Sequence, residues 1–429
     1  VAAVQVRKAV AGKAGPHYPA PPAIVEAVRA AFGSSPEQGL AVERELFADL
    51  AVDEVSRRLV GLFLIHQDSR RWYEDLESAA GPEVERVAVL GAGVMGAGIA
   101  HLAASGGLEV ILRDVAPQAL EAGMSRIGKQ LHEQVEKGRL DAGDAGKILS
   151  RVTAVTDAGR LAHAQLVIEA VVEEMGLKKK VLAEAAGHAG PAIFASNTSA
   201  LSVTEMSAAL PDAGRLAGLH FFNPVDRMPL VEVVAPPSAS PQTVGLLLRL
   251  ARRLGKVPIR VKDSPGFLVN RVLSSYLAEA VAMVEEGFSI ASLDRRMCDF
   301  GMPAGPLELL DQIGLDVAGK VTDTLRSAFP GRVPPGRLLA GMLAAGRTGR
   351  KGKLGFYRWG AGKPVPDQEG VAALAAGGSP GGQAREGHDM AGEPVAASDL
   401  PRLVYPMIAE AVRCLEEGVV SRPQEVDLA

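Results

Sequence analysis

A histidine and a glutamate stand twelve positions apart, His220 and Glu232, in the stretch "GLHFFNPVDRMPLVE". Each sits in an apolar, strand-like run, "AGLHFF" and "PLVEVVA", with the turn "NPVD" between them. Neighbouring strands joined by such a turn could set the imidazole beside the carboxylate. An imidazole titrates near neutral pH, so it takes and returns protons readily. The same residues suit a core histidine with an acidic neighbour, and this stretch alone favours that plainer reading. Other polar groups cluster elsewhere. Ser196, Asn197, Thr198 and Ser199 end a strand-like run in "ASNTSALS"; Glu173 and Lys178 to Lys180 follow another in "EAVVEEMGLKKK"; Asn270 lies in "DSPGFLVNR". Singly, Ser199 also reads as a helix N-cap, Asn270 as a cap or turn residue, and the lysines as a solvated helix face.

A second constellation is more specific. "VAVLGAGVMGAGIA" holds Gly91, Gly93 and Gly96 as G-x-G-x-x-G, between a strand and a helix, and a second strand ends at Asp114, 23 residues after Gly91. Gly91 permits the tight turn, Gly93 admits a pyrophosphate to the backbone, and Gly96 lets the helix pack on the sheet. Asp114 suits the hydroxyls of an adenine ribose and repels a 2′-phosphate, so NAD is expected over NADP; Arg113 softens that preference, and FAD is the other dinucleotide option.

These groups need elements to hold them. From residue 86 apolar strands alternate with helices: strand 86–91, helix 95–105, strand 108–113, helix 117–137, then strands in "AQLVIEAV", "AIFASNT" and "RLAGLHFF". The alternation predicts an α/β fold of Rossmann type, a parallel sheet covered by helices, with a ligand crevice at the carboxyl ends of the strands. Glu173, Ser199, His220 and Asn223 would then point toward the cofactor. Before the sheet, residues 1–80 read as helices, with few breakers between Gly39 and Asp68; after "DSPGF" the pattern is almost wholly helical to about residue 345. Residues 360–397, rich in Gly, Ala and Pro, read as a flexible linker, and a last helix begins near Pro401.

Composition bounds the rest. A chain of 429 residues exceeds one core, and 47% hydrophobic with 22% charged residues is ordinary for a globular protein. A net charge of −4 argues against a nucleic-acid partner. Two cysteines, Cys298 and Cys414, build no disulfide framework and fit a reducing cytoplasm. No Cys/His cluster has metal-ligand spacing, and no apolar run is long enough for a membrane span. "RVLSSYLAEAVAMVEEG" (271–287) matches "RLVYPMIAEAVRCLEEG" (402–418) at eight of seventeen positions, offset by 131. This favours duplication of a helical domain whose second copy is cut short and does not fold as a unit.

Together the motifs resemble the 3-hydroxyacyl-CoA dehydrogenase family, in particular the multifunctional alpha subunits of bacterial fatty-acid β-oxidation complexes. The resemblance runs through "GAGVMGAGIA", "EAVVEE", "SNTSALSVTE", "GLHFFNPVDRMPLVEVV", "DSPGFLVNR", "FGMPAGPLELLDQIGLD" and "GRKGKLGFY". It implies residues 1–84 as the C-terminal helical tail of an enoyl-CoA hydratase/isomerase domain plus a linker helix, and 85–265 as a Rossmann NAD-binding domain. It further implies 266–359 as an all-α dehydrogenase C-terminal domain, 360–397 as linker and 398–429 as the start of a second, incomplete helical repeat.

By the same resemblance His220 is the general base that takes the 3-hydroxyl proton of a 3-hydroxyacyl-CoA while hydride passes to NAD. Glu232 orients it, Ser199 and Asn270 hydrogen-bond the substrate oxygen, and Asn223 with Ser199 lines the nicotinamide. Met95, Val171, Val172, Glu173 and Lys178 resemble the family's other NAD contacts. The product is a 3-oxoacyl-CoA, and a thiolase beta subunit is the implied partner. Because the hydratase's acid/base glutamates fall in a part of the family's sequence upstream of Val1, hydration of enoyl-CoA is not expected. With the second helical copy incomplete, apolar surface on 266–345 and self-association are expected. Arg227, Lys129 and Lys137 are candidates for coenzyme A by charge alone, and each reads more readily as part of a solvated face. The alternatives are a fragment that binds NAD without turnover, and a β-hydroxyacid dehydrogenase of the 6-phosphogluconate type, which would use a lysine base.

Overall fold

The computed structural model of the protein describes residues 5–6, 9–10, 17–334, 336–377 and 394–429. They fall into two compact units, residues 69–271 with 411–429, and the described part of 1–68 with 272–410.

The first unit is built on one sheet of eight strands: Arg86–Leu90 (β1), Glu109–Arg113 (β2), Val152–Val155 (β3), Leu166–Glu169 (β4), Ile193–Ser196 (β5), Leu216–Phe221 (β6), Leu230–Ala235 (β7) and Val257–Lys262 (β8). Their order is β3-β2-β1-β4-β5-β6-β7-β8. Every neighbouring pair is parallel except β6 and β7. Strand order reverses between β1 and β4, which opens a crevice at their carboxyl ends. Helices Val94–Ser105, Pro117–Glu136 and Pro241–Arg253 bury apolar faces against this sheet. Strands covered on both faces read as continuous apolar runs. Every residue of β4, β5 and β6 is buried, so the polar members of those runs, Glu169, Ser196 and His220, must find partners inside.

Two strands escape the sequence pattern, β3 and β8. Both are sheet edges, so half of each is wet and the apolar run is broken, and β8 carries Pro258, which an edge tolerates. Residues 411–429, part of the stretch 398–429 expected not to fold as a unit, are folded onto this unit. Val419 O accepts from Lys262 N at 2.8 Å, extending the edge at β8. The carboxylate of Glu425 is buried, taking the backbone N–H groups of Ser421 and Arg422 and the hydroxyl of Tyr73.

The second unit is helical. Val269–Glu285, Ile290–Phe300, Pro306–Ile313, Leu315–Ala328, Leu338–Ala344 and Leu400–Glu416 contribute to a core that includes Tyr276, Leu293, Met297, Leu310, Phe356 and Leu403. Two buried carboxylates tie its segments together. Asp294 accepts from Leu307 N, Glu308 N and the Tyr357 hydroxyl; Asp311 accepts from Phe356 N, Tyr357 N and Trp359 Nε1. Burial pushes the Asp294 carboxyl up to about 6, against the pull of its hydrogen bonds.

Three expectations are corrected here. The helical stretch 40–68 is broken at Asp53, whose extended backbone and carboxylate end Pro36–Val52 and cap Glu54–Ser69. The expected linker 360–397 contains a strand, Val365–Pro366, and a helix, Gln368–Gly377, which packs through Val371; residues 378–393 of it lie outside the described residues. Among the described residues of 266–345 the exposed large apolar side chains are Phe300, Ile313 and Val317, because that stretch shares its core with Val371 and Leu403. The larger exposed set lies on 20–64, including Ile24, Val28, Phe32, Phe47 and Phe63. Among the described residues no helix is long and apolar enough to cross a membrane.

Candidate functional site

β6 and β7 pair antiparallel with His220 opposite Glu232. Their side chains meet on one face, His220 Nδ1 to Glu232 Oε2 at 2.7 Å, with the histidine 5% exposed and the glutamate wholly buried. A carboxylate only accepts, so Nδ1 carries the proton of this bond, and in the neutral imidazole the lone pair is then the one on Nε2. Glu232 Oε1 takes two more donors, the backbone N–H groups of Leu268 and Val269 at 3.0 and 3.1 Å. Phe222 and Phe267 flank the imidazole, with ring centroids 4.4 and 5.8 Å away.

The end of β5 stands beside it. Asn197 Oδ1 accepts from Phe221 N at 2.8 Å and so pins the end of β6, a role the sequence reading left unassigned. Ser199 gives its backbone N–H and its hydroxyl to Glu173 Oε1, and its carbonyl accepts from Asn270 Nδ2 at 2.8 Å. Ser199, Asn270 and Glu173 thus form one connected group. Asn223 is exposed, three residues past His220, and opens the cis Asn223–Pro224 peptide.

Beneath Glu173 lies a network the sequence reading missed. Lys178 is 1% exposed, and its ammonium bonds Glu169 at 2.8 Å and Glu173 at 3.1 Å. Glu169, wholly buried at the end of β4, also accepts from Ser196 Oγ and Val171 N. Lys178 is therefore neither a solvated helix lysine nor an exposed cofactor ligand. Its charge is spent on two carboxylates, and any effect on a cofactor passes through Glu173. Burial alone would raise the Glu173 carboxyl, but Lys178 and the donors of Thr198 and Ser199 hold it below the ordinary carboxylate range. Of the other expected contacts, Met95 and Val171 are half-buried and Val172 is exposed.

The glycine loop fits a dinucleotide. Gly91 has φ +98°, and a Cβ there would meet Ala170 O at 2.8 Å; a Cβ on Gly96 would lie 1.8 Å from Gly91 O. A Cβ on Gly93 would meet nothing within 4 Å, so that glycine faces open space at the N-terminus of helix Val94–Ser105, where a phosphate belongs. Asp114 is braced by Ala92 N and Ala116 N at 2.9 and 3.0 Å. Arg113 is turned away from it, paired with Glu184 at 2.6 Å. Arg113 therefore offers nothing to a 2′-phosphate. Further along, Arg126, Lys129, Lys137, Arg139 and Arg227 line a cleft of about 710 Å³ that Val94 and Gly98 also border. Three of these cations were expected only by charge, and the fold gathers them.

Comparison with known proteins places the chain in a family. Residues 86–264 match the family model for the 3-hydroxyacyl-CoA dehydrogenase NAD binding domain, and residues 266–359 match its C-terminal domain. The fatty acid oxidation complex subunit alpha of Idiomarina loihiensis is 38% identical over 433 residues, 99% of this chain and 59% of that protein. The chain thus spans less than two thirds of that relative's length. The crystal structure of (S)-3-hydroxybutyryl-CoA dehydrogenase from Ralstonia eutropha is 37% identical, with a TM-score of 0.62 over 65% of this chain and all of that one. That of 3-hydroxybutyryl-CoA dehydrogenase from Escherichia coli K12 is 30% identical, with a TM-score of 0.67 over 80% of this chain and 87% of that one. These matches set aside a 6-phosphogluconate-type enzyme: with its NAD-binding and C-terminal domains in tandem, the chain belongs to the 3-hydroxyacyl-CoA dehydrogenase family.

Proposed function

We propose that the chain oxidises (S)-3-hydroxyacyl-CoA to 3-oxoacyl-CoA with NAD, as a step of fatty-acid β-oxidation. The observation that carries this reading is the buried His220–Glu232 pair standing in the unit that bears the glycine loop. When bound, NAD supplies the hydride acceptor. Gly91, Gly93 and Gly96 would cradle its pyrophosphate and Asp114 its adenine ribose, while Met95, Val171, Val172, Glu173, Ser199 and Asn223 would line its path. His220 takes the proton of the 3-hydroxyl on Nε2 as the C3–H bond breaks and the C3 carbonyl forms. Glu232 stabilises the imidazolium and fixes the ring, with its own charge balanced by the amides of Leu268 and Val269. Asn270 donates to the substrate oxygen through its second Nδ2–H, and Ser199 does so once its hydroxyl turns from Glu173. The basic cleft lined by Arg126, Lys129 and Lys137 suits the phosphates of coenzyme A. A reducing cytoplasm fits the two free thiols. A thiolase subunit is the partner that the likeness to a fatty acid oxidation complex subunit alpha suggests.

The reading is tested by following NADH absorbance with two substrates, acetoacetyl-CoA and free acetoacetate. It predicts turnover with the thioester and little with the free acid. Equal turnover of both would remove the coenzyme A moiety from recognition. NADH binding without turnover of either would make the chain a binding protein.

A further inference from the structure

Arg271 directly follows Asn270, and its side chain is wholly buried. Nη1 donates to Glu417 Oε2 at 2.9 Å and to Ser264 Oγ at 3.2 Å, and its backbone N–H reaches Gly266 O. Arg271 thereby closes the turn 264–267 from inside. That turn carries Gly266 at φ 73° and, unusually for a residue with a Cβ, Phe267 at φ 52°. A left-handed phenylalanine persists where its surroundings over-determine it. What the turn delivers is the site: Phe267 flanks His220, the next two amides bond Glu232, and Asn270 bonds Ser199.

We propose that Glu417, 146 residues beyond Arg271, is a positioning residue for the His220–Glu232 pair, acting through Arg271 on the turn that gives Glu232 its two amide donors. The internal repeat supplies a comparison. At the offset of 131, Arg271 corresponds to Arg402 and Glu417 to Glu286, and Arg402 pairs with Glu286 at 2.6 Å. That second pair is exposed on both sides, its side chains 39% and 50% accessible; in the first, Arg271 is fully enclosed and Glu417 is 35% accessible. Of two ion pairs built from matching residues, the one joined to the candidate site is the one whose arginine is drawn into the interior. An enclosed guanidinium cannot exchange its partners for water, so it holds geometry that a pair exposed on both sides does not.

This inference rests on the dehydrogenase reading, so its test has a readout that needs no turnover. Hydrogen exchange at the amides of Leu268 and Val269 is compared in the parent, Glu417→Ala, Glu417→Gln and Glu286→Gln, beside kcat and KM for NADH. In Glu417→Ala those two amides exchange about tenfold faster while β1 stays protected. There kcat falls about tenfold and KM for NADH holds. Glu417→Gln, whose amide oxygen still accepts from Arg271, recovers most of both losses, and Glu286→Gln changes neither. If Glu417→Ala unfolds, as lost β1 protection would reveal, Glu417→Asp takes its place with intermediate effects expected. Unchanged exchange and kcat in every folded Glu417 variant would overturn the link while leaving the dehydrogenase reading in place. An inactive parent whose exchange still responds to Glu417 would overturn the dehydrogenase reading and leave the link standing.

Discussion

His220 and Glu232 face each other across an antiparallel register pair, 2.7 Å apart, and the glutamate's second oxygen is held by two backbone amides. The carboxylate cannot turn away from the imidazole without leaving those amides unpaired in the interior. The proposed reading of His220 as a base, against a core histidine with an acidic neighbour, rests on this geometry.

Replacing Glu232 by Gln tests that geometry. An amide presents one acceptor face and one donor face, so it cannot serve both Nδ1–H and the two backbone N–H groups. We expect kcat with acetoacetyl-CoA to fall about 10²- to 10⁴-fold, with NADH affinity within about threefold of the parent. Loss of NADH binding in step with kcat would show that Glu232 shapes the cofactor site instead.

The glycines of the loop should separate by role. Gly93→Val adds atoms only where space is open, so its melting temperature should match the parent's while NADH affinity drops. Gly96→Ala drives a Cβ against Gly91 O and should lower the melting temperature itself. Thermal scans with and without NADH read both. Full NADH affinity in Gly93→Val would place the cofactor elsewhere.

Lys178→Met should be among the most damaging single changes in the sheet unit. It strands Glu169, wholly buried, beside Glu173. Breaking such a pair on one side costs about 3–5 kcal/mol, which chemical denaturation measures directly. A cost below about 1 kcal/mol would mean that the network is open to water.

Asp294 makes the helical unit pH-sensitive in a stated direction. Its folded pKa is raised to about 6, so the folded state holds its proton more tightly than the unfolded state. The stability this contributes is complete below the unfolded carboxyl's pKa and is lost as pH rises through about 6. The melting temperature of the parent minus that of Asp294→Asn should therefore fall as pH rises from the acid end through about 6. A difference that rises with pH would reverse the assignment.

Much of the site could be read from sequence because its constraints are local. Gly91, Gly93 and Gly96 answer to backbone sterics within a single turn, and Asp114 ends the next strand at a regular distance. His220 and Glu232 sit in short runs on either side of a turn, so their pairing follows from strand register. What escaped notice depends on distant partners. Glu169 reads as one more acid near a strand end until Lys178 and Ser196 close around it. Asn197 matters only because β6 lies beside β5. Glu417 directly follows a helix that sequence presents as a surplus repeat. The edge strands β3 and β8 hid for the opposite reason, since each exposes two residues to water and so breaks its apolar run.

The most direct measurement is NADH oxidation with acetoacetyl-CoA by the parent and by His220→Gln, with NADH binding followed in both. A base at Nε2 predicts turnover in the parent, a loss of about 10²-fold or more in the variant, and equal NADH affinity. Equal turnover in the two proteins would take His220 out of the chemistry and contradict the account.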